Sequence, residues 1–78
     1  SGVLQNYFRV YVPKGSQLIE AMGSEIEVET SEDLNKTVMG GFFKLRGGGG
    51  RAKIILRYIL PDNLSKDGIL PILIQKQA

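Results

Sequence analysis

The sequence predicts an all-β protein, a small antiparallel β-sandwich of immunoglobulin-like type with about six strands. Short runs of β-branched and aromatic residues recur along the chain, and glycine, proline or asparagine ends each run. Apolar and polar residues alternate within several runs, which is the two-residue period of a half-buried strand. A length of 78 residues leaves room for one core, so residues 1–78 are predicted to form a single domain.

The first strand is predicted over residues 7–12, which alternate cleanly. The inner face carries Phe8, Val10 and Val12, and the outer face carries Tyr7, Arg9 and Tyr11. Residues 13–16 predict a tight turn that reverses the chain, because proline and glycine supply backbone angles that turns require. Residues 17–22 follow as a short second strand, since Gly23 would cut off a helix there too early.

The third strand is predicted over residues 25–30, where acidic and apolar residues alternate. Ile26 and Val28 are expected to point inward on this strand. The outward residues are three glutamates, Glu25, Glu27 and Glu29. Residues 31–36 are interpreted as a polar loop, with Leu34 tucked beneath it.

The fourth strand, over residues 37–46, has an irregular apolar pattern. Val38 lies an odd number of residues from Phe43 and Leu45, so a regular strand would place it on the opposite face. An extra residue at the two glycines 40–41 would restore one common face, because glycine tolerates the kink of a β-bulge. We therefore predict a bulge or close backbone packing at this pair, in preference to a ligand-binding role.

The last third of the chain predicts two more strands. The four glycines at 47–50 are expected to form the loop of a long hairpin. Residues 51–60 alternate like a central strand, and residues 61–68 form a polar loop. Residues 69–75 are apolar on both faces and contain Pro71, which suits the beginning or the edge of a strand.

The side chains that most enzymes depend on are scarce. The chain has no histidine, cysteine or tryptophan. Lys14 lies near Ser16, a local serine and lysine combination, but turns often contain such residues. Residues 63–68 match the first half of a calcium loop, but Ile74 stands where a bidentate glutamate is needed. The sequence therefore predicts a protein that is not an enzyme, with no catalytic residue, no metal ligand and no cofactor.

The charge pattern points to internal pairing. The net charge of +2 is too small to indicate nucleic acid or direct membrane contact. Acids concentrate in residues 20–33 and bases in residues 36–57, so neighbouring strands can pair charges across the ladder. Arg46 and Arg51 flank the four glycines, but a phosphate loop would need a helix after them and a strand is predicted instead.

The final strand is the predicted interaction edge, because an apolar strand with no partner after it invites pairing with another chain. The residues concerned are Leu70, Ile72, Leu73 and Ile74. We expect a protein partner or self-association through this edge.

The alternative function is binding of a carbohydrate or cell-wall polymer at an exposed patch of Tyr7, Arg9 and Tyr11, unless those rings pack over a neighbouring strand.

Four segments in order, YFRVYVPKG at 7–15, KTVMGGFF at 36–43, LRYILP at 56–61 and LIQKQ at 73–77, form a familiar series. Together they resemble the C-terminal module of a bacterial family of unknown function. The resemblance implies a fragment of a larger exported, membrane-anchored protein at the cell surface, with a β-rich module of no established activity. The family pattern has a more compact turn where this chain has its four glycines.

Overall fold

The computed structural model describes residues 3–46, 50–61 and 67–75 and contains six β-strands. They are β1 (Val3–Val12), β2 (Gln17–Met22), β3 (Glu29–Asp33), β4 (Lys36–Arg46), β5 (Arg51–Ile59) and β6 (Asp67–Gln75). Sheet 1 has the antiparallel order β1-β4-β3, and sheet 2 has the antiparallel order β2-β5-β6. The predicted all-β, sandwich-like class and strand number are confirmed, and the immunoglobulin-like detail stays a prediction.

The core lies between the two sheets and is built mainly from their central strands. Met39 and Leu45 of β4, and Ile54 and Leu56 of β5, have no exposed surface. Phe8, Val12, Val28 and Phe43 complete the buried cluster. Fully burying one such side chain contributes roughly 1.5–3 kcal/mol relative to leaving it in water. The alternation predicted for β1 and β5 is confirmed.

The turn at residues 13–16 forms as predicted, but it leads from sheet 1 to sheet 2. The Ser16 amide donates to the Pro13 carbonyl at 3.0 Å, and Gly15 has a φ of 92°. That positive φ favours glycine because it has no Cβ. The Gly15 amide also donates to the buried Thr37 hydroxyl at 2.9 Å, which fixes the turn against β4.

The crossover from β2 back to sheet 1 corrects the predicted third strand. Residues 25–28 are not a strand, and β3 begins only at Glu29. The crossover is attached to β4 at Phe42, whose amide donates to the Ser24 hydroxyl at 3.2 Å. The Glu25 amide donates to the Phe42 carbonyl at 2.8 Å. Val28 is buried as expected, whereas Ile26 is wrongly predicted to point inward and is 45% exposed.

Gly23 begins this crossover at a φ of 92°, where a Cβ would collide with the Lys53 carbonyl oxygen. The backbone passes so close to β5 that only glycine fits without rearrangement. The change of sheet therefore depends on a residue that the sequence presents simply as a strand end.

The polar loop predicted at residues 31–36 is wrong, because most of it belongs to the β3–β4 hairpin. Asp33 pairs with Lys36, which leaves a two-residue turn at Leu34 and Asn35. Their φ values of 51° and 59° match a type I′ turn, whose twist suits an antiparallel pair. Leu34 is 79% exposed at the tip and not tucked beneath it.

β4 is regular, so the predicted bulge at its two glycines is wrong. Its pairing with β1 continues without a shift from residue 37 to residue 46. Val38 faces away from the core and is nevertheless buried on the outer face of sheet 1. The pair instead shows the close packing that was the other possibility, since a Cβ on Gly41 would lie 2.6 Å from the Phe8 ring. The irregularity in pairing occurs in β2, between Leu18 and Glu20.

β5 is the central strand of sheet 2, as predicted, but the long hairpin from β4 to β5 is wrong. β4 pairs with β1 and β3, whereas β5 pairs with β2 and β6. Residues 47–49 lie outside the described part of the chain. The same is true of residues 62–66, which include most of the calcium-loop match.

The two adjacent glycines of β4 provide a matched test of this packing. Gly41→Ala is expected to lower the free energy of unfolding by about 1–3 kcal/mol, because its methyl group overpacks the Phe8 ring. Gly40→Ala points to the outer face, where the nearest atom is 3.4 Å away, and should be neutral or stabilising by up to about 1 kcal/mol. Urea unfolding of both variants measures the difference. Equal destabilisation would contradict the regular register of β4.

Candidate functional site

The outer face of sheet 1 brings together the predicted patch of Tyr7, Arg9 and Tyr11. The register of β1 on β4 places these residues opposite Phe42, Gly40 and Val38, respectively. On the other side of β4, Glu29 is opposite Gly40 and Ser31 is opposite Val38. Side chains from β1 and β3 therefore face each other across a central strand whose glycine leaves a gap.

Asp33 connects Arg9 and Tyr11 into one cluster, which we call the Asp33 clamp. The Tyr11 hydroxyl donates to Asp33 Oδ2 at 3.0 Å. The Arg9 guanidinium lies 3.5 Å from the same oxygen and 5.7 Å from the centre of the Tyr11 ring. The clamp joins the two outer strands of sheet 1 across β4. Exposed ion pairs contribute about 0–1 kcal/mol each, so the clamp mainly positions its members.

The clamp also changes the acidity of Tyr11. The hydrogen bond to Asp33 raises the pKa of the Tyr11 hydroxyl above its ordinary value of 10.0, and desolvation acts in the same direction. The positive charge of Arg9 opposes this by stabilising the phenolate. Two members of the predicted patch are therefore already engaged with Asp33, as expected for rings and cations that pack over a neighbouring strand.

A groove of about 240 Å³ lies beside the clamp, and we call it the Gly40 groove. It is lined by Tyr7, Phe8, Arg9, Ile26, Glu29, Ser31, Val38, Gly40 and Gly41. Tyr7 is 68% exposed, and its ring meets the Phe42 ring edge-on with centroids 4.9 Å apart. Because Gly40 has no side chain, a ligand atom can approach the sheet backbone closely. Most of the lining is apolar, and Glu29 supplies a carboxylate at the rim.

Glu29 and Glu27 differ from the other acids of this region, which form ion pairs. Glu25 lies 4.0 Å from Lys44, Glu32 lies 4.0 Å from Lys14, and Glu20 lies 3.6 Å from Arg57. These pairs join the acidic and basic segments of the sequence or fix the first turn. Within residues 3–46, 50–61 and 67–75, neither Glu27 nor Glu29 has an ion pair, and of the two only Glu29 lines the Gly40 groove.

The second candidate site is the free edge of β6. Among the described strands, β6 has β5 as its one neighbour and is the end strand of sheet 2. Leu70, Ile72 and Ile74 face the core but remain only half-buried. Leu73 points to the outer face and is 62% exposed. The four residues predicted as an interaction edge thus lie on an edge strand, while partner binding through it stays a prediction.

The residues weighed for catalysis have structural contacts. The Ser16 hydroxyl donates to the Pro13 carbonyl at 2.7 Å, and Lys14 Nζ donates to the Asn35 side chain at 3.3 Å. The described residues contain no group of three or more acidic, histidine or cysteine side chains that could hold a metal ion. In the same ranges, no helix has the length and hydropathy required to cross a bilayer.

Comparison with protein-family profiles, with curated proteins and with solved structures finds no match for this chain. The resemblance to a bacterial surface module therefore stays a prediction. The two sites stand on geometry alone.

Removing the Asp33 carboxylate tests the clamp. In Asp33→Ala the pKa of Tyr11 is expected to fall back toward 10.0, as measured by the absorbance of the phenolate. In the wild type the folded pKa is above the unfolded one. The stabilising contribution is therefore complete below pH 10.0 and is lost as the pH rises through the raised pKa. Tyr11→Phe should remove this part of the alkaline loss of stability, and Tyr7→Phe should not. An unchanged Tyr11 titration in Asp33→Ala would contradict the clamp.

Proposed function

We propose that this chain is a non-enzymatic protein-interaction module, and that β6 of one copy pairs with β6 of a second copy. The observation that carries the proposal is the free β6 edge, whose core-facing side chains are incompletely covered. Strand addition supplies backbone hydrogen bonds for affinity and alternating side chains for selectivity. The proposal also places the module in a membrane-anchored bacterial cell-surface protein, for which the support is the sequence resemblance.

The other edge strands carry features that discourage pairing, as edge strands of natural proteins commonly do. β3 is short and acidic, with Glu29, Glu32 and Asp33 among its five residues. β2 is interrupted by a bulge beside Glu20, and β1 carries Arg9. β6 has its one charged residue, Asp67, at its first position and none from position 68 to position 75, whereas the charged residues of β1 and β2 lie within the strand.

The core also supports an added strand. Ile54 and Leu56 of β5 are fully buried, whereas their partners across the ladder, Ile72 and Leu70, remain half-buried. The inner layer is therefore covered at the centre of sheet 2 and open at its β6 end. A further strand with apolar residues at alternate positions would extend this layer and remove more apolar surface from water.

Pro71 determines how such a pair can form. Proline is accommodated in edge strands where its nitrogen faces away from the neighbouring strand. Because amides of alternate residues point to the same side, the amides of Ile69 and Leu73 then also face the free edge. In an antiparallel pair with its two-fold axis at Ile72, each Leu73 amide can donate to the Pro71 carbonyl of the second copy.

A second copy of this chain can provide the strand that pairs with β6. β6 has apolar residues on both faces, so two antiparallel copies bring no like charges together between positions 68 and 75. Such an interface is two-fold symmetric and closes on itself. It would join two three-stranded sheets into one of six strands.

The carbohydrate alternative has less support from the geometry. A sugar platform would need the faces of Tyr7 and Tyr11 to be free, but the Arg9 guanidinium lies over the Tyr11 ring. The Tyr11 hydroxyl is also engaged with Asp33. Tyr7 remains as the single open ring of the patch.

Leu73→Lys tests the edge without removing a core residue, because Leu73 is 62% exposed. With the axis at Ile72, the two introduced lysines would be diagonal neighbours about 7–8 Å apart and would repel each other. We expect the dimer dissociation constant, measured by sedimentation equilibrium, to rise by about tenfold or more, or roughly 1.4 kcal/mol.

The matched control is Ile19→Lys, which adds the same charge to an exposed position of β2 on the opposite edge of sheet 2. It should leave the dissociation constant unchanged. A wild-type chain that stays monomeric at the highest attainable concentration contradicts the proposal, and so does an equal effect of the two lysines.

A further inference from the structure

The Gly40 groove has the form of a slot for an aliphatic chain. Its floor is the backbone of β4 at Gly40 with the buried Val38 beside it, and Ile26 and Tyr7 contribute apolar walls. Its volume of about 240 Å³ suits a single side chain better than a folded surface. The groove lies on sheet 1, away from the β6 edge on sheet 2.

The charges around the groove favour a cation. Arg9 and Glu29 are both opposite Gly40, one on each side of β4. Arg9 also lines the groove, but its guanidinium pairs with Asp33, and among the described residues it forms no ion pair with Glu29. Among the described residues Glu29 has no ion pair, and it stands at the rim of an apolar slot. A ligand that combines an apolar stem with a positive end would complement both features.

Tyr7 adds a third contribution. Its ring is exposed and lines the same groove, with its position supported by the edge-on contact to Phe42. An aromatic ring attracts a cation placed over its face, by about 0.5–1 kcal/mol at an exposed site. Stem, cation and ring contacts thus converge in one place.

We propose that the Gly40 groove binds a basic side chain, lysine or arginine, presented by a segment of a partner polypeptide. The methylene stem lies over Gly40 and Val38, and the cation meets the Glu29 carboxylate beside the Tyr7 ring. This site is independent of strand addition at β6, so either can fail without the other.

A short peptide with one central lysine between glycine and serine residues, with blocked ends, is the probe. Titration into the isotopically labelled 78-residue chain, followed by amide NMR, should shift Tyr7, Glu29 and Gly40. Glu29→Gln should weaken binding at least fivefold, because it removes the charge and keeps the shape. Glu27→Gln is the matched control, since Glu27 is a neighbouring exposed acid that does not line the groove. Gly40→Ala, which raises the floor, should weaken binding at least threefold.

Three outcomes would overturn the proposal. The first is an equal affinity for the same peptide with norleucine, which has the stem without the cation. The second is a chitin oligosaccharide that shifts the groove amides where the lysine peptide does not, which would identify a saccharide site. The third is equal weakening by Glu29→Gln and Glu27→Gln, which would show general attraction to an acidic surface.

Discussion

The mutual burial of β4 and β5 is the interaction on which the rest of the structure depends. These are the central strands of the two sheets, and their inward residues are the ones with no exposed surface. With 78 residues, the chain cannot extend this degree of burial to every strand. The outer strands therefore share the core only partly, and β6 shows this most clearly with its half-buried inward residues.

Both candidate sites lie where the outer strands are only partly buried or where a side chain is missing. In sheet 2, β6 is the last strand in the described part of the chain, and its inward residues are only half-buried. On sheet 1, the absence of a side chain at Gly40 leaves the Gly40 groove between β1 and β3. The absence of a side chain at Gly41 allows the Phe8 ring to pack against the backbone of β4. Two adjacent glycines thus serve opposite faces of one strand, one for core packing and the other for an opening to solvent.

Much of the fold could be predicted because alternation is a local signal. It identified β1, β2, β5 and β6, and it placed Tyr7, Arg9 and Tyr11 on one face. The alternation wrongly predicts a strand at residues 25–28, where apolar and acidic residues alternate within a crossover that Ser24 attaches to β4. It also failed at the type I′ turn, because leucine followed by asparagine is an unusual choice for two positive φ values.

The functional geometry was harder to predict because it depends on which strands pair. The Asp33 clamp joins residues of β1 and β3, and the sequence contains no signal for their common neighbour β4. The sequence contains one clue to the groove, the odd spacing of Val38 from Phe43 and Leu45, which also fits a bulge. In a regular strand the same spacing means an apolar residue on the outer face, where something must cover it.

The order in which the strands are used along the chain has a further consequence. Sheet 1 takes the first, third and fourth strands, and sheet 2 takes the second, fifth and sixth, so the two sheets are interleaved in sequence. No contiguous half of the chain contains a whole sheet, because each sheet includes strands that are separated in sequence by strands of the other sheet. The two sheets should therefore fold and unfold together. Folding requires pairing between strands that are far apart in the chain, and such non-local pairing makes β-rich domains slow to fold.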